Sequence, residues 1–178
     1  MYKNETKNNH ADASQSIPGP VKIIGFGNTF MSDDGIGIKI IEELEKTDLL
    51  DGLNNIEIIN GSTSGIDLLF TLKDLDKAII IDALDAGQED GEVVKFKLSD
   101  IVNKTGKIIK SFSLHDLRLE EVFALMESLR IHPDVTIIGI RPKIIAHGDK
   151  LSPEIECKIP EIILMIIQEI SKYRSGRS

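Results

Sequence analysis

Cysteine and basic residues are scarce in this sequence. Cys157 is the only cysteine among 178 residues. The chain can therefore form no internal disulfide and no zinc site built from several cysteines, and a reducing, cytoplasmic location is expected. Lys and Arg number 21 against 29 Asp and Glu, which gives a formal net charge of −8 and a pI near 5.0. A chain with this net negative charge is repelled by the phosphate backbone of a nucleic acid, so no nucleic-acid partner is expected.

Long apolar segments are also missing. The longest apolar run, residues 162–167, is far shorter than the roughly 18 residues needed to cross a bilayer, so no membrane partner is expected. Residues 1–20 are polar and lack the apolar centre of a secretory signal. We expect a flexible N-terminal leader over 1–20, a single α/β domain over 21–174 and a tail over 175–178.

Apolar runs and helical patterns alternate along the chain. One segment, 92–98, alternates polar and apolar residues, which predicts an edge or antiparallel strand. Near-continuous apolar runs, typical of parallel strands covered on both faces, occur at 21–24, 56–59, 77–82 and 134–140. We therefore predict an α/β fold, a three-layer αβα sandwich with a mostly parallel twisted sheet and helices on both faces.

Segments with apolar residues at helical spacing lie between these strands and after the last one. Pro160 is expected to interrupt the last helical segment, because a proline inside a helix removes a backbone hydrogen bond. The predicted helices cover residues 36–50, 66–72, 113–130, a short segment from 152, and 162–173.

Residues 21–37, VKIIGFGNTFMSDDGIG, combine a strand, a glycine turn, an acidic loop and the start of a helix. Gly25 and Gly27 carry no Cβ atom, so the backbone can turn sharply after the strand. Asp33 and Asp34 then follow at the carboxyl end of that strand. Ligands of open α/β sheets bind at such ends, which makes this loop a candidate site.

Three polar residues are expected along the same edge of the sheet. Asp34 follows the first strand, Asp82 ends the third, and His115 lies at the start of a helix after the edge strand. Parallel strands place their carboxyl ends together, so these side chains can meet. Two carboxylates and one imidazole form a ligand set suited to nickel or zinc. A helix amino terminus would favour the neutral imidazole that binds metal.

Each of these residues also has a simpler structural interpretation. Taken alone, Asp33 or Asp34 is more simply a cap of the first helix and His115 a solvated surface residue, while Asp82 fits a turn and a site equally well. The presence of three such residues on one edge favours a site.

The glycines allow a second interpretation, a dinucleotide-binding turn. Its third glycine would fall at Phe30, and the second strand ends in Asn60 where a ribose-binding acid is expected. The acidic loop would also repel a pyrophosphate. A nucleotide-binding domain is therefore the weaker alternative.

The segment GFGNTFMSDDGIG resembles the opening motif of the hydrogenase maturation proteases, Gly-x-Gly-Asn, a short loop, then Asp-Asp/Glu-Gly-x-Gly. The blocks NGSTSGIDLL, IIIDALDAG, FSLHDLRL, GIRPKII and LSPEI follow in the family's order. The resemblance runs from Val21 to the C-terminal helix. Asn60 and Ser62 depart from the family's usual Asp-Gly-Gly-Thr. The aspartate that Asn60 replaces is not a metal ligand in the family, so we expect this replacement to affect substrate details more than activity.

The resemblance implies catalytic and metal-binding roles for Asp34, Asp82 and His115. The family's enzymes remove a short C-terminal peptide from the large subunit of nickel-iron hydrogenases after nickel has been inserted. The implied function is that of a cytoplasmic, monomeric endopeptidase. Its partner would be the hydrogenase large-subunit precursor, which would also supply the nickel cofactor.

Two mechanisms and one further class of function stay open at this point. Nickel near the scissile bond would polarise the carbonyl or activate water, or one of the aspartates would serve as general base while nickel is only recognised. The alternative from another class is a non-catalytic module that binds nickel or a small ligand and escorts the precursor.

Overall fold

The fold centres on a mixed β-sheet in a computed structural model that describes residues 20–51, 53, 55–62, 65–73, 75–103, 109–112 and 119–174. Nearly all of the predicted leader and the whole predicted tail lie outside these residues. Within them the sheet has six strands: β1 (Val21–Phe26), β2 (Ile56–Ser62), β3 (Lys77–Asp85), β4 (Val93–Lys97), β5 (Lys110–Ser111) and β6 (Asp134–Ile140).

The main sheet has the strand order β2-β1-β3-β6-β4. β1 pairs in parallel with β2 and β3, and β3 pairs in parallel with β6. β4 lies at the edge and is antiparallel to β6, as its alternating sequence predicts. Short β5 pairs antiparallel with the carboxyl end of β3. The predicted α/β fold with a mostly parallel sheet is confirmed.

In the described residues four helices lie between strands and two follow β6, and two of the six differ from the prediction. The described residues contain α1 (Ile36–Glu45), α2 (Gly65–Leu72), α3 (Leu98–Asn103), α4 (Leu119–Ser128), α5 (Pro153–Glu156) and α6 (Ile159–Arg174). α1 is shorter than predicted, since Asp48–Leu50 forms a separate 3-10 turn. α3 was not predicted from its short sequence. None of these helices is long and apolar enough to span a membrane.

α4 and α6 correspond to the predicted helices over 113–130 and 162–173. The predicted start of the helix over 113–130, with Ser113 and His115, lies outside the described residues, and α4 is described from Leu119. Pro160 is in the first turn of α6, where a missing N–H costs no helical hydrogen bond. The interruption predicted from Pro160 is present, because α5 ends at Glu156 and α6 begins at Ile159.

Helices cover both faces of the sheet. α1, α5 and α6 pack on one face through helically spaced apolar residues, among them Ile36, Ile40, Ile155, Ile162 and Ile166. α2, α3 and α4 cover the other face through Leu69, Leu72, Leu98 and Met126. Strand residues alternate between the two cores. Ile79 and Ile81 of β3 belong to the first core, and Ile80 and Leu84 to the second.

A buried carboxylate joins α6 to the sheet. Glu169 is 3% exposed and accepts hydrogen bonds from Lys95 Nζ of β4 at 3.2 Å, Thr136 Oγ1 of β6 at 3.1 Å and Lys172 Nζ at 3.1 Å. Burial raises the pKa of the Glu169 carboxyl, whereas the hydrogen bonds from the two lysines and the threonine lower it. The net result is a pKa below the usual range.

Glu169→Gln is expected to destabilise the fold by about 2 kcal/mol at neutral pH, because it removes the charged acceptor of these bonds. The folded-state pKa lies below the unfolded value of about 4.3. The stabilisation is therefore complete above the unfolded value and is lost as the pH falls through the folded-state pKa. Urea unfolding between about pH 7 and about pH 3 should give free energies of unfolding that converge in acid.

Glu161→Gln is the matched control on the same helix. Glu161 pairs with Lys158 Nζ at 3.0 Å on the surface, where an ion pair contributes little. Equal losses for the two variants at neutral pH, or a loss for Glu169→Gln that persists in acid, would contradict the role assigned to Glu169.

Candidate active site at the carboxyl edge of the sheet

The amino end of α1 lies directly against the carboxyl ends of β1 and β3. A Cβ atom on Gly37 would lie 2.1 Å from the carbonyl oxygen of Phe26 and 2.5 Å from that of Ile81. A Cβ atom on Gly25 would lie 2.3 Å from the carbonyl oxygen of Gly37. Only residues without a Cβ permit this approach, so both glycines serve contacts between strand and helix.

The acidic loop, residues 27–35, connects β1 to α1 and carries Asp34. Gly27 has φ +150°, and a Cβ there would lie 2.2 Å from the carbonyl oxygen of Asp34. The backbone N–H of Asn28 donates to Asp34 Oδ2 at 3.2 Å, and Asp34 is 1% exposed. The loop therefore folds back on itself and holds the Asp34 carboxylate at the end of β1.

Asp82 does not end β3 as predicted, because the strand continues to Asp85, where it pairs with β5, and the Asp82 side chain is buried. Ser111 Oγ of β5 donates to Asp82 Oδ2 at 2.6 Å. Asp82 alternates with Ile81 and Ala83, so its side chain is on the sheet face covered by α2, α3 and α4. β5 thus fixes one oxygen of this carboxylate.

The structure brings two members of the predicted trio to one edge of the sheet. The 3-10 turn Ser32–Gly35, which contains Asp34, contacts β3, and Gly37 lies against Ile81, the neighbour of Asp82. His115 lies outside the described residues. Its segment follows Phe112, whose N–H donates to the carbonyl oxygen of Ala83 at 3.0 Å.

Two of the three predicted metal ligands, Asp34 and Asp82, are among the described residues. Within the described part of the chain, no group of three His, Cys, Asp or Glu side chains could hold a metal ion. The predicted trio needs His115 for its third ligand. Asp34 and Asp82 would supply two oxygens and His115 a nitrogen, a mixed set that nickel accepts alongside thiolates. The dipole of α1 also stabilises negative charge at its amino end.

Asp33 has a different role from the cap that its position suggested. Met31 and Gly35 occupy the cap positions of the 3-10 turn and of α1, and neither makes a side-chain cap bond within the described part of the chain, so the capping interpretation of Asp33 and Asp34 is wrong. Asp33 Oδ2 instead accepts from Lys143 N at 3.0 Å and Ile144 N at 2.7 Å. Asp33 Oδ1 accepts from Ser152 N at 2.6 Å, and Ser152 Oγ donates to Oδ2 at 2.9 Å. These donors lie 110 to 119 residues away, so no local pattern could reveal them.

The geometry also argues against the dinucleotide-binding turn. Gly25 contacts Gly37, and Gly27 contacts the backbone of Asp34. A pyrophosphate needs that close approach to the glycine backbone for itself. Here the protein's own main chain occupies it.

Gly27→Ala is expected to lower the free energy of unfolding by several kcal/mol, because it adds a contact of 2.2 Å with Asp34 to the strain of a positive φ. Gly87→Ala is the matched control. Gly87 has φ +88°, and among the described residues a Cβ there would meet no heavy atom within 4 Å, so only the backbone strain of about 1–3 kcal/mol applies. Urea unfolding of both variants measures the difference, and equal losses would contradict the close contact.

Comparisons with known proteins agree with this architecture. A family model described as hydrogenase maturation protease matches residues 38–169, a range that contains Asp82 and His115 and begins shortly after Asp34. The chain is 28% identical over 158 residues to the hydrogenase expression/formation protein HupD of Rhodobacter capsulatus, covering 88% of this chain and 73% of the relative. It is 27% identical over 150 residues to the hydrogenase 2 maturation protease of Escherichia coli, covering 83% and 88%.

A solved structure supports the same assignment. The NiFe hydrogenase maturation protease HybD from Thermococcus kodakarensis superimposes with a TM-score of 0.63 and 26% identity, over 85% of this chain and 99% of that chain. The chain therefore belongs to the hydrogenase maturation protease family, and it is a hydrolase, an endopeptidase of hydrogenase maturation.

Proposed function

We propose that this endopeptidase removes the C-terminal extension of a hydrogenase large-subunit precursor that already holds nickel. The observation that carries the proposal is the placement of two buried carboxylates, Asp34 and Asp82, at one edge of the sheet. The segment with His115 follows β5, which pairs with β3 beside Asp82. These are the three positions at which the family's motifs carry metal ligands.

Asp34, Asp82 and His115 act on nickel as part of the substrate. The precursor's cysteine thiolates hold the ion, and the three side chains complete its ligand set. Docking at this edge is then productive only for a loaded precursor, so the protein tests that nickel insertion has taken place. Bound nickel supplies Lewis-acid chemistry close to the scissile peptide bond.

The chain's own contribution is orientation and proton transfer. Asn28 N–H and Ser111 Oγ each hold the Oδ2 atom of one carboxylate, at 3.2 Å for Asp34 and 2.6 Å for Asp82. This fixes both groups before the substrate binds, which removes an entropic cost from the reaction. One carboxylate accepts a proton from the water whose oxygen attacks the carbonyl carbon, and it passes that proton to the leaving amine nitrogen as the C–N bond breaks.

We infer a cytoplasmic monomer as the active form. Thiolates that hold nickel in the precursor persist in a reducing compartment, and Cys157 is compatible with the same environment. The precursor is the only macromolecular partner in this proposal.

The test is intact-mass analysis of a large-subunit precursor incubated with the protein, with and without nickel. Wild type should shorten only the loaded precursor. Asp34→Ala, Asp82→Asn and His115→Ala should each slow cleavage by about 100-fold or more, the usual effect of losing an acid–base or charge-stabilising group.

Two variants serve as matched controls. Asp85→Asn changes an aspartate of the same strand that pairs with Arg141 Nη1 at 3.0 Å, and His132→Ala changes an exposed histidine that pairs with Glu127. Both should cleave near the wild-type rate. Equal cleavage of the unloaded precursor would contradict the requirement for nickel. Wild-type rates in the Asp34, Asp82 and His115 variants would contradict the proposed active site. A precursor that binds but keeps its mass, across all hydrogenases of the source organism, would instead support the escort module.

A further inference from the structure

Asp33 connects two segments that are distant in sequence. One is the acidic loop, and the other is the β6–α5 loop, residues 141–152. The Asp33 side chain is fully buried and accepts three backbone N–H bonds and one hydroxyl bond from the β6–α5 loop. A buried carboxylate with this number of donors is well compensated for its lost hydration. Its position therefore determines where the β6–α5 loop lies.

Main-chain bonds extend this connection. Ser32 N donates to Gly148 O at 2.9 Å, and Gly148 N donates to Phe30 O at 3.0 Å. Asp33 N donates to Ile144 O at 3.2 Å, and Ser32 Oγ donates to the carbonyl oxygen of Ala146 at 3.0 Å. Ser32 has φ +50°, a conformation that the surrounding bonds must hold in place. The two loops thus form one surface unit.

This unit exposes large apolar side chains. Phe30 is 74% exposed on the acidic loop, and Ile144 and Ile145 are 44% and 41% exposed on the β6–α5 loop. The exposed parts of these side chains give the free protein no packing energy. Exposed aromatic and aliphatic side chains on rigid backbone are typical of protein-binding surfaces.

The same unit is continuous with the candidate active site. Asn28 N–H holds the Asp34 carboxylate, and Asn28 Oδ1 accepts a bond from Phe30 N at 3.0 Å. A precursor whose nickel reaches Asp34 must therefore lie beside Phe30. This continuity identifies the occupant of the apolar surface as the substrate itself.

We propose that Asp33 is a positioning residue, which joins the two loops into a pre-organised surface where Phe30, Ile144 and Ile145 bind the hydrogenase large-subunit precursor. This inference rests on the proposed function. A loop that is already ordered does not have to be ordered when the precursor binds, so affinity is retained. Asp34 is held separately by Asn28, so we expect the chemical step to be independent of Asp33.

Asp33→Asn replaces an acceptor by a side chain whose amide group would face backbone N–H donors. We expect KM for the nickel-loaded precursor to rise about tenfold or more, while kcat stays within about threefold.

Ser152→Ala removes one donor of the four and should raise KM by about threefold. Phe30→Ser changes an exposed side chain and should raise KM about tenfold with unchanged stability.

Glu169→Gln is the matched control. It neutralises another buried carboxylate, bonded to Lys95, Thr136 and Lys172 away from the two loops. All variants are assayed where circular dichroism shows them folded. Hydrogen exchange should show faster exchange of the Ile144 and Ser152 amides in Asp33→Asn, with unchanged exchange in β1 and β3, and no such change in Glu169→Gln.

The outcomes separate the inference from the function on which it rests. If wild type leaves the loaded precursor uncut, the proposed function is wrong. If wild type cleaves and Asp33→Asn and Phe30→Ser keep the KM of Glu169→Gln, the positioning role is wrong. A fall in kcat without a change in KM would also overturn it. If Asp33→Asn does not fold, Ser152→Ala and Phe30→Ser decide by the same criterion.

Discussion

The contact between Gly25 of β1 and Gly37 of α1 is the constraint on which the rest of this site depends. Because neither glycine has a Cβ atom, the first turn of α1 can lie against the carbonyl groups of Phe26 and Ile81. The acidic loop is then drawn over the carboxyl ends of two neighbouring strands. A larger residue at either glycine would push the helix outward and move Asp34 with it. The site is thus positioned by main-chain packing, and its side chains are supported afterwards by hydrogen bonds.

Burying negative charge at this edge requires dedicated donors. Asp33, Asp34 and Asp82 are all buried in a chain with a formal net charge of −8. Backbone N–H groups and two serine hydroxyls supply the bonds that offset the lost hydration. Asp33 and Asp34 are neighbours in one 3-10 turn, yet Asp33 holds a distant loop while Asp34 faces the strand ends. One aspartate stabilises the surface, and the other is the candidate catalytic group.

Much of the fold could be predicted because its signals are local. The apolar runs of β1, β3 and β6 and the alternation in β4 mark a mostly parallel sheet with an antiparallel edge. α3 escaped prediction because a helix of six residues has too few turns to show a periodic pattern. The strand order could not be predicted for a different reason. The parallel strands carry similar apolar runs, and such a run does not specify which strand lies beside it.

The sequence by itself determined the family, the α/β class and the candidates Asp34, Asp82 and His115, since ordered motifs and apolar periodicity are properties of short segments. Only the tertiary structure showed what Asp33 does. Its carboxylate accepts hydrogen bonds from the β6–α5 loop and does not cap a helix. The tertiary structure also showed that Gly25 and Gly27 contact the protein's own backbone, where a nucleotide turn would have left them open. In both cases the contact forms only when separate elements pack against each other, which no local sequence pattern encodes. A hydrogen bond or a close contact between residues over a hundred positions apart, such as Asp33 and Ser152, exists only once the sheet has brought their loops together.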